Sequence, residues 1–139
     1  MQVQGCTGDA LRLPFHVGGD RSPTWVLSRT ATGLRFKRDH LHEDGSSDAL
    51  TMYGGDTVAP GSPLWQEFPA DVKSREMFLR EGRAAAIDNL WMMKLLPWQS
   101  FAYELRRPQR HFRVEFDLTK QAPSPPAPWG EKKRLRNGQ

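Results

Sequence analysis

Phe112-Arg113-Val114-Glu115-Phe116-Asp117-Leu118 alternates apolar and charged residues at every position, the period-two pattern of a strand with one face in a core and the other in water. Working back from it, Phe101-Ala102-Tyr103-Glu104-Leu105-Arg106 points Phe101, Tyr103 and Leu105 inward in the same way, with Arg107-Pro108-Gln109-Arg110 as the connecting turn. Before that comes Leu90-Trp91-Met92-Met93-Lys94-Leu95-Leu96, joined by a turn at Pro97-Trp98-Gln99-Ser100. This third strand breaks the pattern. It is apolar on both faces, with only Lys94 interrupting.

Further upstream, Leu11, Leu13 and Phe15 alternate with Arg12 and Pro14, and the proline marks this strand as an edge. Trp25 and Leu27 share a face in the next run. After Thr30-Ala31-Thr32-Gly33, Leu34-Arg35-Phe36-Lys37 repeats the alternation, so the two runs form a hairpin. Ala49 to Tyr53 reads as a further strand ended by Gly54-Gly55-Asp56, and residues 54–66 as a loop or lid. The one helix expected is Asp71 to Arg80, capped by Asp71 and closed by Gly82. With 12 glycines and 11 prolines in 139 residues, the fold class is mainly β. The expected architecture is a small antiparallel sandwich or partly open barrel with at most one short helix. Residues 1–9 read as a disordered tether, 10–120 as one β domain, and 121–139 as a Pro-rich and then basic flexible tail.

The formal charge of +4 comes from the end of the chain. Lys132, Lys133, Arg134 and Arg136 supply it, and the other sixteen basic residues balance the sixteen acidic ones. Arg also alternates with Glu and Asp along the strands, so the basic face that a nucleic-acid partner requires is missing from the pattern. Cys6 is the only cysteine, which rules out an internal disulfide and any metal site needing two thiolates. Val3-Gln4-Gly5-Cys6 has the small-residue-then-cysteine form of a bacterial lipoprotein processing site, with a lipid anchor on Cys6; a chance Gly-Cys near a terminus is the alternative. An exported location, periplasmic or at the cell surface, follows from the first of these. No apolar run approaches the length of a membrane-spanning helix.

Chemistry is sparsely represented. His40 and His42 stand two apart on a strand and so point the same way, as a pair of imidazoles offered to a metal would. The same residues are equally at home in the solvated turn that follows, and no third ligand is specified. A nucleophile elbow and a phosphate-binding glycine loop are both missing. Glu115 and Asp117 alternate on an exposed strand face, where they pair with Arg106 or Arg113 rather than act as an acid and a base.

The anomalous strand is the better functional signal. With Trp91, Met93 and Leu95 facing the core, Leu90, Met92, Lys94 and Leu96 face outward, and Met77, Phe78 and Trp98 extend the patch. Monomeric proteins seldom leave such a face bare. It is covered by another part of the chain, or it is an interface with a partner protein or a second copy, or it lines a pocket inside a barrel. A natural interface produces such a break in pattern, and so does deliberate redesign of a surface. The preferred expectation is a non-enzymatic protein-interaction domain, without cofactor, whose contact surface is this face. The alternatives are a metal-dependent hydrolase using His40 and His42, and a carrier for a hydrophobic ligand.

Overall fold

A computed structural model of the chain describes residues 2–131. Its nine strands form two antiparallel sheets. Sheet one is the meander β1 (Gly5–Thr7), β2 (Ala10–Pro14), β3 (Pro23–Arg29), β4 (Leu34–His40) and β5 (Tyr53–Asp56), with neighbours in chain order. Sheet two contains β6 (Trp65–Pro69), β7 (Leu90–Leu96), β8 (Ser100–Arg107) and β9 (Arg110–Asp117), again in order. The helix α1 (Val72–Arg80) and a 3-10 turn at Ala84–Ala86 connect β6 to β7. The expected mainly β sandwich with one short helix is what the chain forms, and the sheets do not close into a barrel.

Alternation places the core as the sequence pattern demands. Leu13 pairs with Trp25, which pairs with Arg38, while Leu11, Leu27 and Phe36 form the adjacent row. Trp91 and Met93 stand opposite Leu105 and Tyr103 on the inner face of sheet two. Aromatic rings join the sheets: Phe15 stacks on Trp25 with centroids 4.4 Å apart, and Trp25 stacks on Tyr103 at 4.3 Å. Such stacks add to the burial of large ring surfaces.

On one side the sandwich is closed by a tight corner between β5 and β6. The Asp71 N–H donates to the Gly54 carbonyl at 2.9 Å. The buried Ser74 hydroxyl accepts from the Gly54 N–H at 2.8 Å and reaches the Gly54 carbonyl at 3.0 Å. A Cβ on Gly55 would lie 1.7 Å from the Pro69 carbonyl oxygen, so only glycine lets the two backbones meet. The glycine pair expected to end a strand is therefore inside β5, and the expected loop at 54–66 gives way to the end of β5 and the start of β6. β6 escaped the alternation test because Trp65, Gln66 and Glu67 carry no apolar period and Pro69 follows.

α1 begins where expected. Asp71 caps it by accepting from the Ser74 N–H at 2.8 Å, and Gly82, at φ +67°, follows its end in the left-handed conformation that glycine favours. Ser74 and Phe78, four residues apart, form the buried side of the helix.

Both ends of the described chain are more tightly held than the sequence indicated. Within the expected tether, β1 pairs with β2 in the register Gly5 to Arg12, because an edge of sheet one was free to take a strand. In the proline-rich segment, Pro128 is buried and the backbone N–H of the half-buried Trp129 donates to the Arg21 carbonyl at 3.2 Å, so the segment returns to sheet one at its Pro-Trp end. The basic tail from Lys132 lies outside the described residues.

Candidate functional site

The outward face of β7 is covered at its centre. Met92 is only 1% exposed. It stands in register between Glu67 on β6 and Glu104 on β8. Glu104, itself 4% exposed, gathers Arg106 at 3.0 Å, His111 at 3.0 Å and Arg113, and Arg113 is shared with Glu115. Burial works to raise the Glu104 carboxyl pKa, but the hydrogen bonds from His111 and Arg113 outweigh it and hold the pKa below the ordinary carboxylate range. Charged residues on both neighbouring strands thus flank in register an apolar residue that alternation alone would leave in water.

Phe78 is likewise removed from the expected contact surface. It is 3% exposed and meets the Tyr53 ring edge-on at 5.1 Å, because α1 packs against β5. Leu90, Lys94, Leu96 and Met77 are half-buried. Trp98 is 89% exposed, at φ +64° in the β7–β8 turn. The face is therefore a thin apolar margin around a sealed centre. Met92→Asp is expected to cost about 2–4 kcal/mol in chemical denaturation by burying a charge without a partner. Leu96→Lys is expected to change stability by less than about 1 kcal/mol.

His40 and His42 do not converge. His40 faces inward and packs on Tyr53, with its Nε2 3.4 Å from the Tyr53 hydroxyl. Burial first, and then the Arg38 charge, lower its pKa below the ordinary histidine value. His42 turns instead toward Asp48 at 3.6 Å near the surface. Among the described residues no three His, Cys, Asp or Glu side chains gather as metal ligands.

The most apolar concavity lies between the sheets at the end where β4 begins and β7 finishes. Its volume is about 350 Å3. Leu11, Leu13, Leu27 and Leu34 of sheet one face Phe68, Met93, Leu95 and Phe101 of sheet two across it, and Leu64, Leu118 and Val3 lie at its rim. No charged side chain lines it. Leu95, expected in the core, does face inward, but it is 40% exposed because the cleft opens to solvent there. The β7–β8 turn carrying Trp98 is held against the rim, since the Leu118 N–H donates to the Gln99 carbonyl at 2.9 Å.

The local sequence explains the space. The middle of the sandwich is filled by Trp25, Phe36, Trp91 and Tyr103, whereas this end has mainly leucines and a methionine, which reach less far across the gap. A change from aromatic to aliphatic residues at the same end of several strands was the signal available in the sequence. Alternation identified Leu11, Leu27 and Leu34 as inward, but it did not show that they face one another across an opening.

The fold and this cleft define a small two-sheet β domain with an apolar cavity between its sheets. No family model, curated protein or solved structure matches the chain.

Proposed function

We propose that the chain is a non-enzymatic binding domain that takes an apolar small molecule or alkyl chain into the cleft between its sheets. The observation that carries this reading is a concavity of about 350 Å3 lined mostly by leucine with phenylalanine and methionine, where Gln66 is the one polar side chain. Ligand sites are concave, predominantly apolar and of this size. A peptide bound as an added strand would need exposed backbone donors and acceptors, and the cleft walls are inner sheet faces that present side chains instead. Exposed Leu64, Leu118 and the neighbouring Trp98 give the mouth an apolar margin. The reading departs from the protein-contact face expected on β7, whose centre is covered by its own sheet. An exported location belongs to the same proposal: Cys6 is exposed on edge strand β1, where its thiol is open to lipid attachment.

The test uses neutral alkyl alcohols, such as decanol, titrated calorimetrically into the purified protein. Saturable binding is expected, weakened at least about tenfold by Leu95→Glu, which places a charge at the cleft mouth without disturbing the core. If decanol shows no saturable binding, or binds Leu95→Glu as well as the wild-type protein, the reading is wrong.

A further inference from the structure

We infer that a second cavity, beneath α1 and the 3-10 turn, binds a small organic anion: a carboxylate or phosphate head on an aromatic or apolar body. This cavity has a volume of about 390 Å3 and shares no lining residue with the apolar cleft. It lies toward the other end of the strands, bounded by Arg38 rather than Leu34 on β4 and by Leu105 and Arg107 rather than Phe101 on β8. Arg38, Arg83, Arg107 and Arg110 line it, and no Asp or Glu does. None of the four guanidinium groups has a carboxylate in ion-pair reach among the described residues. Outside its basic end the chain balances its charges, so this is a local excess of positive charge.

Two features show that the excess is built into the fold. Arg38 occupies an inward position on β4, in register between Trp25 and Tyr53. Its guanidinium carbon lies 5.6 Å from the Tyr53 ring centroid, and its Nε is buried without a hydrogen-bond partner. An inward arginine with an unused buried donor is costly unless something accepts from it. Arg107 and Arg110 are directly opposed across the β8–β9 ladder, an arrangement that like charges disfavour. The turn between them also holds Gln109 at φ +61°, which is uncommon for a residue with a side chain. An anion between these groups would satisfy the Arg38 donor and relieve the repulsion, and arginine forks suit carboxylate and phosphate oxygens. Tyr53, Phe78 and Trp91 supply the apolar wall for the ligand body.

The test is calorimetric titration of the full chain with benzyl phosphate, benzoate, inorganic phosphate and neutral benzyl alcohol. At least one of the two aromatic anions is expected to bind saturably, at least about tenfold tighter than benzyl alcohol or inorganic phosphate. Arg38→Gln and Arg110→Gln should each weaken that binding about tenfold or more, while Leu95→Glu should leave it unchanged. Arg110 is exposed, so its variant remains informative if Arg38→Gln fails to fold. The inference is overturned by the absence of saturable binding of both aromatic anions at millimolar concentration. It is also overturned by equal binding of benzyl alcohol, by undiminished binding to Arg110→Gln, or by loss of binding in Leu95→Glu.

Discussion

Gly55→Ala is expected to remove about 3 kcal/mol or more of folding stability, and Gly19→Ala to change it by less than about 0.5 kcal/mol, both read from urea titrations. The two glycines differ in what a side chain would meet. A Cβ on Gly55 falls 1.7 Å from the Pro69 carbonyl oxygen and 2.9 Å from its carbon, whereas one on Gly19 meets nothing within 4 Å. Overpacking against a flexible side chain is absorbed by rotation, but here the obstacle is backbone at the start of the connection into α1. Relief requires β5 and β6 to separate, which also stretches the Asp71 to Gly54 hydrogen bond and the contacts of Ser74. Small domains have only about 5–15 kcal/mol of net stability, so a loss on this scale shifts the midpoint clearly. A Gly55→Ala protein as stable as the wild type would show that the corner is not tightly closed.

Asp71→Ala is expected to cost about 2–4 kcal/mol. Asp71 caps α1 through Ser74, and its other carboxylate oxygen accepts from Lys37 Nζ. The Lys37 side chain is 13% exposed, so removing its partner leaves an ammonium poorly solvated. Asp71→Asn retains a good cap and loses only the charge, so it should cost less than alanine. Asp71→Asn combined with Lys37→Met should recover part of the loss, because neither member of the pair is then stranded.

The same residue shapes the acid limb of stability. Burial acts to raise the Asp71 carboxyl pKa, but hydrogen bonds from Lys37 and Ser74 prevail and lower it from the ordinary 3.8. A carboxyl whose pKa is lower in the folded state contributes fully above its unfolded value, and that contribution is lost as pH falls through the folded value. Stability should therefore decline below about pH 4, and less steeply in Asp71→Asn. An identical acid limb in the variant would remove Asp71 from this account.

The parts of the fold legible in the sequence are those written in period two. The Phe112 to Leu118 alternation and the inward rows of β2, β3, β4 and β8 all describe a residue's relation to its own strand, which chain spacing determines. What lies over that face depends on strands distant in sequence. Met92 was assigned outward, and whether it met water was decided by Glu67 and Glu104, which become its neighbours only in the folded register. Leu95 was assigned inward and lies on the expected face, yet it opens onto a cleft because the leucines opposite it do not fill the gap. Gly54 and Gly55 resemble a strand terminus in any local window. Their role as a site of backbone contact arises only when Pro69 is brought against them. The apolar cleft and the arginine-lined cavity escaped sequence reading for the same reason, since each assembles residues from both sheets.

The closed corner has a mechanical consequence. β1 and β9, at the far ends of their sheets, share no ladder, and the gap beside them is bridged by rings such as Phe15 and Phe116, 6.0 Å apart edge-on. One side is pinned backbone to backbone, and the other is closed by side chains and by the segment that runs on from β9 to the Arg21 carbonyl, so the two sheets are arranged as a clamshell hinged at Gly54–Gly55. Widening on the β9 side, where Leu118 and Val3 lie at the cleft mouth, breaks no strand pairing and is limited by the segment that links β9 to Arg21. If the cleft takes an alkyl chain as proposed, its admission is a local opening rather than an unfolding step, limited by the glycine corner on the other side.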